Sequence, residues 1–279
     1  NLKPFMEVNS EDRKTTNLLA LSKDGNILHA TDSRDRDTAA LFSYDLKNGT
    51  RTLLFHAQKS DVTEIFLNPS HDVVQQVSVN YLKTEHHVLD DEIKLDIKFL
   101  SAYHKEALMT VISKDLKDSL WIVEYIFDDN PTRYYLYTRD SQHIQFLFSA
   151  SSSLTQYQLS KTRPLILKAR DGLNLVSYLT LPVAAEPADR NELIPKHPVP
   201  LILYVHGGPM SRNSWGFNSV NQFFANRGYA VLSVNYRGSI GFGKSFLQAG
   251  YGEYAGEMQN DLIDATEWAI KNKITTKDQ

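Results

Sequence analysis

The chain has 279 residues, 42% hydrophobic and 23% charged, the profile of a well-cored globular protein of two domains and not of a collagen-like or disordered one. Its 30 Lys and Arg against 33 Asp and Glu give a net charge of -3, which leaves no basic stripe for nucleic acid. The absence of cysteine removes disulfides, thiolate nucleophiles and Cys-containing metal sites together, and agrees with a cytoplasmic location.

The first residues, Asn1-Leu2-Lys3-Pro4, carry neither an initiator Met nor an apolar leader and read as a cut end. From Asn17 to about Phe148 short apolar runs alternate with turn residues. Leu18–Leu21 and Ile27–Ala30 flank Lys23-Asp24-Gly25-Asn26, a hairpin signal. Leu41–Tyr44 and Thr52–Phe55 flank a turn with Asn48-Gly49 at its tip, so the glycosylation-type triplet Asn48-Gly49-Thr50 has a structural explanation. Further runs are Val73–Val79, Ala107–Ile112 and Leu120–Phe127, with one stretch of ambiguous period at Glu92–Lys105. This half is predicted to be antiparallel β. Leu41–Tyr44 with Leu53–Phe55 is echoed by Tyr134–Tyr137 with Phe146–Phe148. The echo spans two units if the unit is about 45 residues, the blade length of β-propellers, although any two hairpins look alike. About three blades fit, fewer than the roughly four that close a ring, so open sheet edges and a truncated N-terminal side are expected.

After Leu154 the texture changes. Leu165–Ala169 and Leu175–Leu181 flank Arg170-Asp171-Gly172, a β-hairpin ended by Pro182, and Ala184–Pro200 is a polar, Pro-rich loop. Leu201–Val205 is a continuous apolar run of the kind buried on both faces, and Tyr229–Val234 is a second. Ser219–Asn226 suits a helix closed by Gly228, while Glu257–Lys271 puts Met258, Leu262, Ala265 and Ala269 on one helical stripe. Strand, helix, strand and helix at these lengths predict a parallel sheet. No apolar run approaches the roughly 18 residues of a membrane-spanning helix.

Four features bear on chemistry. His206-Gly207-Gly208-Pro209 follows the first buried strand directly, where α/β-hydrolases place one backbone N–H of the oxyanion hole. Gly238–Ser245 matches the phosphate-loop pattern G-x-x-x-x-G-K-[ST], but Gly250, Gly252 and Gly256 argue against the long helix that a nucleotide site needs. Arg237 ends a buried strand and is read either as a clamp for a substrate carboxylate or as half of an ion pair with Asp261 or Glu257. His86-His87, near Asp90-Asp91-Glu92, suggests a metal site only superficially, because neighbours on a strand point to opposite faces. No metal site is expected.

Arg170-Asp171-Gly172, Tyr178–Pro182, His206–Pro209, Asn235–Gly243 and Asp261–Ala265 stand in this order, and together they resemble the prolyl oligopeptidase family of serine peptidases, on its acylaminoacyl-peptidase and dipeptidyl-peptidase side. The resemblance covers about Leu165 to Gln279. It implies a partial β-propeller of antiparallel blades over residues 1–155, then the N-terminal part of an α/β-hydrolase domain with a mostly parallel sheet over 156–279. Leu120–Val123 and Tyr134–Tyr137 look like the last blades. The implied activity is hydrolysis of short peptides through an acyl-enzyme, without a metal or organic cofactor, the propeller capping the site. Some relatives place a Tyr hydroxyl where His206 stands, so His206 is expected to position the loop while Gly207 or Gly208 donates.

One departure is large. The chain contains no G-x-S-x-G, and His206 is the last of its 9 histidines, whereas triads on this fold run Ser, Asp, His. No catalytic triad residue is therefore assigned in this chain. The triad is expected after Gln279, with a buried strand and the serine motif within roughly 15 residues. The expected partner is a short peptide, with no nucleic acid or membrane, and a homo-oligomer is compatible. The rival readings are an esterase or acyl-amino acid hydrolase on the same scaffold and a non-catalytic propeller that binds a partner.

Overall fold

Alternating apolar residues and tight polar turns divide the first half into three separate antiparallel meanders. The computed structural model describes residues 4–279, so Asn1, Leu2 and Lys3, on which the reading of a cut end rests, lie outside the described residues. Strands β1 (Asn17–Leu21), β2 (Ile27–Asp32), β3 (Ala40–Asp45) and β4 (Arg51–Phe55) pair in chain order. Strands β5 (Val62–Leu67), β6 (Val74–Asn80) and β7 (Thr84–Val88) form a three-stranded sheet. After helix α1 (Lys94–Tyr103) come β8 (Leu108–Lys114), β9 (Leu120–Ile126), β10 (Arg133–Thr138) and β11 (His143–Ser149), again paired in chain order. The meanders begin at Asn17, Val62 and Leu108, steps of about one 45-residue unit. The sequence echo falls on the third and fourth strands of the first and last meanders, and none of these sheets closes on itself.

The stretch of ambiguous period becomes α1 because its apolar side has a sheet to cover. Ile93 and Leu100 pack with Trp121, Val123, Tyr125 and Tyr137 of β9 and β10. Each buried polar atom of that cluster finds a partner, as burial requires. Trp121 Nε1 donates to Asp118 Oδ1 at 2.7 Å, the Tyr125 hydroxyl to Leu100 O at 2.8 Å, and the Tyr137 hydroxyl to Asp96 Oδ1 at 2.6 Å.

The second half contains β12 (Thr162–Lys168), β13 (Asn174–Thr180), β14 (Leu201–Val205), α2 (Ser219–Ala225), β15 (Ala230–Val234), a short α3 (Lys244–Gln248) and α4 (Glu257–Lys271). The sheet order is β12-β13-β15-β14. Strands β14 and β15 are parallel, but β12 with β13 and β13 with β15 are antiparallel, which corrects the expectation of a mostly parallel sheet. The crossover rule applies to strands joined through a helix, as β14 and β15 are. A tight turn closed by Gly172 N on Ala169 O makes β12 and β13 a hairpin, and β13 reaches β14 through a long loop with no α-helix. Strand β15 is buried throughout, as expected. Strand β14 is not: Leu201–Tyr204 are half-buried and Val205 is 41% exposed, because β14 is outermost and has a neighbour on one flank only. The α4 stripe forms as expected, with Met258, Ala265 and Ala269 buried and Leu262 packed against the same core.

An acid on β2 staples the first meander together. Asp32, fully buried, accepts Arg34 Nη2 at 2.7 Å, the Tyr44 hydroxyl of β3 at 2.5 Å and Arg51 Nη2 of β4 at 3.2 Å. Burial opposes its ionisation, but hydrogen bonds from Arg34 and Tyr44 with the charge of Arg51 outweigh burial and hold its pKa at about 2, below the ordinary 3.8. A folded pKa below the unfolded one stabilises above the unfolded value, and that stability is lost as pH falls towards the folded one. Unfolding by urea is therefore expected to show wild-type stability falling more steeply from pH 4 to pH 2 than that of Asp32→Asn. Identical slopes would contradict this role.

Candidate functional site

The parallel register of β14 with β15 pairs Val205 with Val234, so the chain leaves both strands at the same end of the sheet. There His206-Gly207-Gly208 lies beside Asn235-Tyr236-Arg237. Gly207 and Gly208 are exposed, and among the described residues neither backbone N–H has an acceptor. Two unengaged donors at the C-terminal end of a strand suit an oxyanion. Gly208 has φ +133°, and a Cβ there would lie 2.6 Å from Met210 N, so the loop tolerates only glycine at that point.

His206 is buried beneath these glycines. Its ring stacks on Tyr236 at 4.7 Å between centroids, with 19° between planes, and the Tyr236 hydroxyl donates to His206 O at 3.0 Å. Nδ1 lies 3.0 Å from Gly207 O and Nε2 lies 2.9 Å from Ser239 Oγ. The Ser239 hydroxyl is also 2.6 Å from Tyr236 O, and its single proton serves one of these neighbours at a time. Burial pushes the His206 pKa below its ordinary value. A Ser–His contact of this length resembles a nucleophile with its base. Ser239 is wholly buried, however, and Nδ1 faces Gly207 O, with no carboxylate on it among the described residues, an arrangement that ties the two loops together.

Arg237 is engaged from three directions. Its Nε and Nη2 fork onto Asp261 of α4 at 2.9 and 2.7 Å, its backbone N–H donates to the same carboxylate at 2.8 Å, and Nη2 also meets Asp171 Oδ2 at 2.9 Å. The hydrogen bonds that it donates to Asp261 raise the guanidinium pKa further. The arrangement pins the end of β15 to α4 and to the β12–β13 turn. It leaves Nε and Nη2 without a free edge for a substrate carboxylate.

The segment that imitates a phosphate loop is filled by acids from the first half. A helix does begin at Lys244, but α3 has five residues. Ser245 N donates to Asp37 Oδ1 at 2.7 Å, Gly243 N to Asp61 Oδ2 at 3.3 Å, and Lys244 Nζ to Asp12 Oδ1 at 2.8 Å. The groups that would cradle a phosphate instead dock the two halves of the chain. His86 and His87 also act structurally. His86, on edge strand β7, bridges Ser78 Oγ and Thr110 Oγ1 at 2.8 and 3.1 Å, while His87 packs on Phe55. Among the described residues no group of three His, Cys, Asp or Glu is set to hold a metal.

Sequence reasoning passes over Arg212 entirely. It lies on the same loop as Gly208 and reaches Asn80 and Tyr81 of the second meander. Its only signal in the sequence is proximity to the glycines.

Comparison with known proteins bears on the whole chain. The sequence profile of the prolyl oligopeptidase family matches residues 215–279, a span that includes Arg237 but not the glycine loop. Dipeptidyl aminopeptidase BIII of Pseudoxanthomonas mexicana is 46% identical over 275 residues, 99% of this chain and 40% of that protein. Dipeptidyl peptidase family member 6 of Caenorhabditis elegans is 29% identical over 289 residues, 99% of this chain and 39% of that protein. The chain thus spans about two fifths of the length of these relatives. In fold it is similar to a puromycin-hydrolyzing peptidase of Mycobacterium tuberculosis, with a TM-score of 0.68 and 18% identity over 92% of this chain and 39% of that one. It is also similar to dipeptidyl peptidase 4 of Porphyromonas gingivalis, with a TM-score of 0.66 and 16% identity over 96% of this chain and 36% of that one.

The Arg237–Asp261 pair gives a direct test of how this end of the sheet is held. Removing one partner strands a buried charge, so Asp261→Ala is expected to destabilise the chain by about 3–5 kcal/mol in urea denaturation. The paired change Arg237→Met with Asp261→Leu is expected to cost clearly less. Equal losses would mean that the ion pair is not what holds the loop.

Proposed function

We propose, from the premise that this chain belongs to the prolyl oligopeptidase family, that it supplies propeller blades and the oxyanion loop of a serine peptidase acting on short peptides. Residues 1–155 are read as blades and 156–279 as the first part of the hydrolase domain. The observation that carries the reading is the pair of exposed, unengaged N–H groups at Gly207 and Gly208, held over a buried His206 at the C-terminal end of β14.

The open flank of β14 supports a place for the nucleophile. Leu201 N donates to Gln279 O at 3.4 Å, so the chain at Gln279 already lies beside the start of β14. A further parallel strand running along β14 from that point would end next to Gly207 and Gly208. In α/β-hydrolases a strand in this relation ends at the serine elbow, whose own N–H is the second oxyanion donor. The serine hydroxyl adds to the scissile carbonyl as its proton passes to the histidine. The carbonyl oxygen then becomes an oxyanion facing the Gly207 or Gly208 donor and the N–H of the serine elbow. As the C–N bond breaks, the histidine returns its proton to the leaving amine, and the acyl-enzyme that remains is hydrolysed by water. One such donor is worth about 3–4 kcal/mol in the transition state. His206 and Arg237 take no proton in this scheme; they hold the loops on which the donors sit. The names of the two relatives, an aminopeptidase and a peptidase of dipeptidyl type, favour an exopeptidase that reads a free peptide N-terminus.

The test uses the full-length protein beside residues 1–279 alone. The full-length protein is expected to label with a fluorophosphonate and to cleave unblocked dipeptidyl p-nitroanilides, and the 279-residue chain to do neither. Gly208→Ala in the full-length protein is expected to lower kcat about a hundredfold, since it displaces a donor. Labelling of residues 1–279 alone would place the nucleophile within them. A full-length protein that does not label would favour a binding scaffold, and one that cleaves only esters would favour an esterase.

A further inference from the structure

We propose that Arg212 is a positioning residue that ties the His206–Gly208 loop to the β6–β7 hairpin, so that the seat of the glycine donors depends on how the two halves of the chain are docked. The proposal deepens the peptidase reading and rests on it. Arg212 stands four residues past Gly208. Its Nη1 donates to Asn80 O at 2.8 Å, and its Nη2 to Asn80 Oδ1 and Tyr81 O, both at 3.2 Å. All three acceptors lie where β6 ends and turns into β7. They are neutral, so what they recognise is the shape of the guanidinium fork as well as its charge.

The other faces of Arg212 are occupied by the loop that follows β15. Its guanidinium lies 4.3 Å from the centre of the Phe242 ring. A Cβ on Gly241 would come within 2.5 Å of Nη1, so the glycine makes room for the arginine. Ile240 N donates to Ser211 O at 3.1 Å, binding the two loops together next to the side chain. On the far side Asn213 and Asn235 clasp each other: Asn213 N donates to Asn235 Oδ1 at 2.7 Å, and Asn235 Nδ2 to Asn213 O at 3.2 Å. The segment from Ser211 to Asn213 is therefore fixed to the end of β15 on one side and to the hairpin on the other. Between this segment and the donors lie only Pro209 and Met210.

A second tie between the two halves serves as a control. Lys244 Nζ of α3 donates to Asp12 Oδ1 at 2.8 Å and to Ser33 O at 3.3 Å, in the first half and apart from the β6–β7 hairpin. Losing it loosens the docking without touching the donors. Losing Arg212 frees the loop while Lys244 keeps the two halves docked.

The experiment measures Arg212→Ala, Arg212→Lys and Lys244→Met in the full-length protein, by steady-state kinetics on a dipeptidyl p-nitroanilide and by hydrogen exchange. Arg212→Ala is expected to lower kcat by about ten- to a hundredfold, with KM changed by less than about twofold, as a misplaced donor would. Arg212→Lys is expected to recover little, because one ammonium does not span three acceptors. Lys244→Met is expected to keep wild-type kcat. Exchange is expected to quicken over residues 206–216 in Arg212→Ala and to stay unchanged over α4. If Arg212→Ala does not fold, Arg212→Gln takes its place in both measurements. Wild-type kcat in the arginine variant, or exchange that rises equally everywhere, would overturn the proposal. If the wild-type protein cleaves nothing, the peptidase reading falls, and the exchange pattern alone still decides whether Arg212 holds the loop.

Discussion

The parallel pairing of β14 with β15 sets everything at the candidate site, because it makes two chains leave the sheet side by side. One exit carries His206, Gly207 and Gly208; the other carries Asn235, Tyr236 and Arg237. Backbone that leaves a strand loses its ladder partners and must find others. At the second exit Asn235 N donates to Val176 O and Arg237 N to Asp261, and side-chain ties to Asp171 and Asn213 complete a rigid floor. The first exit rests on that floor through the His206–Tyr236 stack, and its glycine N–H groups remain unengaged. Such a division suits catalysis by preorganised donors, since groups already fixed in place need no rearrangement when charge develops.

The contact between the two halves has a consistent polarity. The first half presents carboxylates, Asp12, Asp37 and Asp61, to N–H groups and a lysine of the Gly241–Ser245 segment. The second half also presents Arg212 to carbonyl oxygens of the β6–β7 hairpin. Burial pushes the pKa of Asp61 up, while the N–H groups of Ala39 and Gly243 work against that rise. Buried polar groups of this kind are costly unless each finds its partner, so they specify one docking geometry more than they add net stability.

Much of this was legible in the sequence because its causes are local. The α4 stripe, the Asp24-Gly25 and Asn48-Gly49 turns and the strand before His206-Gly207-Gly208 each depend on a short window of residues. The strands β5 and β7 were missed for the same reason. Thr63 and Glu64 face solvent, and Thr84-Glu85-His86-His87-Val88 has no apolar alternation, so only pairing with β6 makes them strands. The exposure of β14 and the mixed sheet were also misjudged, because sheet order belongs to the fold and not to any one segment. Arg212 and Asp61 act on partners more than a hundred positions away and leave no local mark.

The claim that Gly207 and Gly208 present an oxyanion hole is tested most directly by a crystal structure of the full-length protein after reaction with a phosphonate inhibitor. The expected result is a phosphonyl oxygen within about 3.1 Å of the Gly207 or Gly208 nitrogen, with His206 still stacked on Tyr236. A phosphonyl oxygen held by other donors, with both glycine N–H groups turned away from it, would contradict the assignment of this loop.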